Sequence, residues 1–121
     1  MTGFVPAPIK PQIAMADLDK VDIRVGTIER VEEVPRFDKL VKLTVDFGDQ
    51  RRSVLAGLRQ ERADPNAEMA GRQALFVVNL ASRKMAGEIS QAMLFDIGYA
   101  DGIAPVLAIP ERPVPNGTCA A

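Results

Sequence analysis

The side chains best suited to chemistry lie in one stretch, Asn79–Met93, which reads NLASRKMAGEISQAM. Arg83 and Lys84 are adjacent cations, a residue type that neutralises phosphates and gives affinity without reading a base. Asn79 donates and accepts at once, so it suits a base edge and equally a loop backbone. Ser90 carries a hydroxyl able to meet a ribose 2′-hydroxyl or to cap local backbone. Met85 and Met93 offer soft apolar surface for an unstacked base, or for the core. Outside the stretch, Phe37 between Arg36 and Lys39 is the best candidate for stacking, because Phe47, Phe76 and Phe95 fall in strand patterns. Arg24, Arg51 and Arg52 form a second rank of cations.

Composition excludes several other chemistries. The 121 residues include no histidine, which removes the commonest general base and transition-metal ligand. The single cysteine, Cys119, has no partner for an internal disulfide. No glycine-rich phosphate loop or metal-ligand cluster is present, so neither an enzyme nor a bound cofactor is expected. No apolar run approaches the roughly eighteen residues of a membrane span, and no signal-peptide layout opens the chain; a soluble cytoplasmic protein is the expectation. Charge is unevenly spread. Residues 51–84 hold seven cationic side chains (Arg51, Arg52, Arg59, Arg62, Arg72, Arg83, Lys84) against Glu61, Asp64 and Glu68. That local balance of +4 sits in a chain of net charge −1, a pattern compatible with one basic face on an acidic body.

The elements that must position these groups follow from periodicity. Pro6, Pro8 and Pro11 disfavour helix over residues 1–14, so an extended arm is expected, with Phe4, Val5, Ile9 and Ile13 available for docking. Asp17–Lys20 reads as one helical turn capped by Asp17. Val21, Ile23 and Val25 alternate as a half-buried strand, and the apolar phase slips after Gly26 to Ile28, Val31 and Val34, which predicts a bulge or bend there. Val41–Phe47 and Arg51–Ala56 flank a Gly48-Asp49-Gln50 turn as a hairpin. A short helix beginning near Asp64-Pro65 and closed by Gly71 leads into a fourth strand, Arg72–Leu80. Ala92–Ile97 is a fifth strand, Pro105–Ile109 a further short one, and Asn116-Gly117 marks a turn. The stretch Asn79–Met93 is expected to be a loop held between two core strands. The order predicts an all-β domain over 15–121 with one short helix, an OB fold: a five-stranded Greek-key barrel.

At this point the residues resemble a known family. Asp17–Gly48 (DLDKVDIRVGTIERVEEVPRFDKLVKLTVDFG) followed by Val77–Leu94 (VVNLASRKMAGEISQAML) is similar to the tRNA-binding OB domain. That domain occurs free-standing, at the C-terminus of methionyl-tRNA synthetases, and in the export chaperone CsaA. The segment Asp38–Arg59 is more like the tRNA-binding forms, whereas Glu111–Thr118 (ERPVPNGT) is more like the chaperone branch. Ser82 stands where the family usually has proline, and Ala92 where it usually has glycine. The resemblance implies a non-catalytic tRNA-binding protein, with unfolded or export-bound polypeptide as the alternative ligand. It also implies a homodimer whose terminal extensions form the interface. The RNA-contacting set expected from these residues is Arg83, Lys84, Asn79, Ser90, Lys39, Arg36, Phe37, Arg52 and Met85, with the family motif strengthening Arg83 and Lys84.

Overall fold

The computed structural model describes residues 3–58 and 62–121. Arg59 and Glu61, which entered the charge balance above, lie outside them. The described chain is built from short strands around one apolar centre. β1 (Ile23–Glu33), β2 (Val41–Asp46) and β3 (Arg51–Ala56) are followed by helix α2 (Pro65–Met69) and β4 (Gln73–Val77); one helical turn, α1 (Met15–Leu18), precedes them. A hairpin of β5 (Arg83–Met85) and β6 (Glu88–Ser90) comes next, then β7 (Met93–Leu94), β8 (Asp96–Ile97), β9 (Val106–Leu107) and β10 (Cys119–Ala120).

The main sheet runs β3-β2-β1-β4-β7, all antiparallel, with β10 also on β1. β1 is long enough to serve two neighbours. Ile23–Thr27 pair with Val77–Gln73 of β4, and Thr27–Glu33 pair with Asp46–Val41 of β2. A strand shared in this way must coil, and the register with β2 breaks between Ile28 and Arg30. The bulge therefore falls near Glu29, three residues beyond the glycine expected to hold it. Gly26 is needed for a different reason: a Cβ there would lie 2.5 Å from Val45 Cγ1 and 2.9 Å from Phe47 Cε1.

Alternation then builds the core. Val41, Leu43 and Val45 turn inward on β2 and meet Ile28, Val54, Met69, Ala74 and Phe76, all fully buried. Phe47 packs edge-on against Phe76 with ring centres 5.4 Å apart. α2 starts as its sequence requires, with Pro65 in the first turn and Asp64 Oδ1 accepting from the Ala67 amide at 3.1 Å. Gly71 ends it at φ 84°, and its amide donates to Ile28 O at 2.7 Å, which seats the helix on β1.

Three expectations need correction. Asp17 is the third residue of α1 rather than its cap: its Oδ2 accepts from the Ala14 amide at 3.2 Å. The predicted fifth strand divides at Phe95, with β7 continuing the main sheet while β8 pairs with β9 in a separate ribbon. The stretch expected to be a loop is a hairpin. At the C-terminal end, Gly117 (φ 90°) donates to Val25 O at 2.8 Å, and Asn116 Oδ1 accepts from Thr27 and Gln73, so the Asn-Gly turn plugs one end of β1. Residues 3–14 are exposed throughout and carry no regular structure.

Candidate nucleic-acid interface

β5 and β6 are joined by Ala86-Gly87, both at positive φ (53° and 78°), the backbone of a tight two-residue turn whose twist suits a hairpin. Pairing is Arg83↔Ser90, Lys84↔Ile89 and Met85↔Glu88. Because side chains alternate along a strand, Arg83 and Lys84 point to opposite faces of this ribbon. Arg83, Met85, Glu88 and Ser90 share the face towards the barrel. Lys84 and Ile89 share the outer face, where both are exposed.

Beneath the inner face lie two neighbouring depressions. One, of about 160 Å³, is lined by Leu55, Leu80, Arg83, Met85, Ala92 and Met93 among others. The other, of about 410 Å³, adds Leu40, Leu58 and Tyr99 to Arg83, Met85 and Met93. Leu40 ends the turn that carries Arg36, Phe37 and Lys39, so the two loops border the same hollow. In that turn Arg36 has φ 70°, the Phe37 amide donates to Val34 O, and the Leu40 amide donates to Phe37 O, both at 3.1 Å. The result is that Arg36, Phe37 and Lys39 all stand outward, Phe37 at 44% exposure.

Ion pairing sorts the cations. Arg24 is bound to Asp22 at 2.6 Å, and this hydrogen bond, with the carboxylate charge, raises its pKa. Arg51 is bound to Glu29 at 2.6 Å, with the same consequence for the same reasons. Arg30 pairs with Glu32. Among the described residues, Arg36, Lys39, Arg83 and Lys84 carry no ion pair and no side-chain hydrogen bond. These four keep their charge available for an incoming anion.

Three other residues of the expected set are engaged within the protein. Ser90 is buried; its Oγ accepts from the Leu55 amide at 3.0 Å and donates to Ala92 O at 3.1 Å. Its hydroxyl serves backbone here, one of the two roles expected of it. Asn79 uses both ends of its amide, accepting from the Asp22 amide at 2.9 Å and donating to Lys20 O at 2.6 Å. Arg52 donates through Nη1 to Val78 O (2.7 Å) and Gln91 O (3.1 Å), and through Nε to Gln50 Oε1 (3.0 Å). Sequence reasoning missed Gln91, whose side-chain oxygen accepts from the Ser53 amide at 2.9 Å. It also missed the Lys42–Glu88 contact at 3.5 Å, which ties β2 to the hairpin. A two-residue Ala-Gly turn between alternating residues was the available sign of the hairpin itself. Nothing in the sequence marks Gln91.

Among the described residues no cluster of three or more potential metal ligands occurs, and no helix is long and apolar enough to cross a membrane.

A nearly closed five-stranded antiparallel barrel, with a cationic hairpin over one side, defines an OB-fold protein. The chain belongs to the putative tRNA-binding domain family, whose model matches residues 23–119. It is 36% identical over 116 residues to the methionine–tRNA ligase of Parabacteroides distasonis, covering 96% of this chain and 17% of that enzyme's length. Among solved structures it is similar to a MetRS-related protein from Pyrococcus horikoshii, with 29% identity and a TM-score of 0.84 over 93% of this chain and all of that one. It is also similar to the chaperone CsaA of Bacillus anthracis, with 27% identity and a TM-score of 0.78 over 92% of this chain and all of that one.

Proposed function

We propose that the protein binds tRNA without catalysing a reaction on it, through phosphate and shape contacts made by Arg83, Lys84, Arg36 and Lys39, with Phe37 and Met85 as apolar contacts. Affinity built on phosphates falls steeply with salt, by about 0.7–0.9 in log K per log unit of salt for each contact. Filter binding of total tRNA at two or more salt concentrations tests it. Arg83→Ala with Lys84→Ala should weaken binding and flatten the salt slope by one to two contacts; an unchanged slope would remove the hairpin from the interface.

The working form in this reading is a homodimer, supported by the exposed apolar arm, where Val5 is 81% and Ile9 99% exposed. Sedimentation of the wild type and of Ile9→Asp decides it: one species of monomer mass for both would refute the dimer.

The likeness to CsaA favours a second reading, in which unfolded polypeptide occupies the same hollow. Leu80, Met93 and Tyr99 leave exposed apolar surface there, which a peptide would cover. Salt-insensitive binding of an unfolded polypeptide, with no binding of tRNA, would establish this reading in place of the first.

A further inference from the structure

The outer edge of β3 faces the two feet of the β5–β6 hairpin, and among the described residues no strand pairs with it there. Two side chains and one backbone bond make the connection instead. The Ser53 amide donates to Gln91 Oε1 (2.9 Å), the Gln91 amide donates to Ser53 O (2.8 Å), and the Leu55 amide donates to Ser90 Oγ (3.0 Å). Between them Arg52 spans both feet, because its Nη1 donates to the carbonyl of Val78 before the hairpin and of Gln91 after it. The first foot is held again from the other side: Val78 N donates to Asp22 O (2.9 Å), and Asn79 clamps the backbone of Asp22 and Lys20. Further out, the hairpin meets the barrel through the half-exposed Lys42–Glu88 pair, and such pairs hold little. The pose of Arg83 over the hollow is thus set at the feet.

We propose that Arg52 and Gln91 are positioning residues, which fix the hairpin to β3 and so pre-organise Arg83 and Met85 for the ligand, and that Arg52 is not itself a phosphate contact. The effect on binding rests on the tRNA reading above; the effect on the hairpin does not. A guanidinium is suited to the task because its planar fork reaches several acceptors from one rigid group. Releasing the feet enlarges the set of hairpin poses in the free protein while the bound contacts stay the same. Ordering is then charged to binding, so affinity drops equally at every salt concentration. Loss of a phosphate contact behaves differently, because it lowers the salt slope by about 0.7–0.9.

Three variants separate the two roles: Arg52→Met, Arg52→Lys and Gln91→Leu. Lysine keeps the charge and loses the fork, whereas Gln91→Leu removes an acceptor without altering charge. Amide hydrogen exchange of the free proteins is read at β5–β6, with β1–β2 as the reference for the intact barrel, and tRNA affinity is read across salt. Expected is exchange at β5–β6 that is about tenfold faster or more in all three, with β1–β2 unchanged. Dissociation constants for tRNA should rise about five- to tenfold at unchanged slope, and lysine should not rescue. Unchanged exchange at β5–β6 would overturn the proposal. So would a slope reduced by about one contact in Arg52→Met and restored in Arg52→Lys. If Arg52→Met does not fold, Gln91→Leu and Arg52→Lys carry the same comparison. Should wild-type protein fail to bind tRNA, the exchange data still decide the positioning role while the tRNA reading falls.

Discussion

Replacing Gly26 with alanine adds one methyl group at a crowded point of the barrel. The new Cβ would sit 2.5 Å from Val45 Cγ1 and 2.9–3.0 Å from two ring carbons of Phe47. Neither neighbour has room to retreat. Val45 is fully buried and, being branched at Cβ, has few rotamers to choose from. The Phe47 ring is held edge-on against Phe76 at an interplanar angle of 82°. Forcing one extra methyl into such a site costs about 1–3 kcal/mol. At about 2.1 cal/mol/K of unfolding entropy per residue, a chain of this length loses about 4 °C of Tm per kcal/mol, so the melting temperature should fall by about 4–12 °C. Thermal unfolding followed by circular dichroism reads this directly. The double variant Gly26→Ala, Val45→Ala provides the control, since removing the Val45 methyls returns the space. Its destabilisation should be smaller than the sum of the two single effects by about 1 kcal/mol. A Tm within 1 °C or so of wild type, or strict additivity in the double variant, would refute the packing account of this glycine.

Three further outcomes are expected. Ser90→Ala leaves the Leu55 amide without its acceptor in a buried site and should cost about 1–3 kcal/mol in urea denaturation, whereas Ser82→Ala on the exposed surface should stay within about 0.5 kcal/mol. Ala86→Asn or Ala86→Gly relieves a left-handed alanine in the tight turn and should stabilise the hairpin by up to about 1 kcal/mol, seen as slower exchange of β5–β6 amides. Stability and tRNA binding should both be nearly flat between about pH 6 and 8, because the chain has no histidine to titrate there. The arginines do not disturb this expectation: Arg24 and Arg51 have raised pKa values in the folded state, so what they contribute is fully present below the ordinary arginine range and is lost only above it. A marked transition near pH 6.5 in either assay would contradict it.

The strands were legible where one face is buried and the other wet. Val41, Leu43 and Val45 on β2 alternate because the barrel interior admits alternate residues, and the sequence carries that period openly. Asp64-Pro65 likewise announced its helix through local chemistry alone. The site was harder to read because its organising contacts join residues far apart in sequence. Asn79, Arg52 and Ser90 look like ligand-binding types, yet their polar atoms serve backbone at Lys20 and Asp22, at Val78 and Gln91, and at Leu55 and Ala92. No local pattern distinguishes an arginine that braces two carbonyls from one that waits for a phosphate. The adjacency of Arg83 and Lys84 suggested joint action, whereas strand geometry sends them to opposite faces. The bulge was displaced from Gly26 because that glycine answers to Val45 and Phe47 across the core rather than to its own strand.

A barrel closed largely by side chains rather than by another rung of paired strands treats the segment between Asn79 and Ser90 as a cassette. Its two anchor points belong to the scaffold and its interior does not. Length and composition can change there without a register slip running into β3 or β4, since no continuous ladder crosses the junction. Grafting a hairpin of different charge between the same anchors should therefore exchange the cargo preference of the domain while the barrel folds as before.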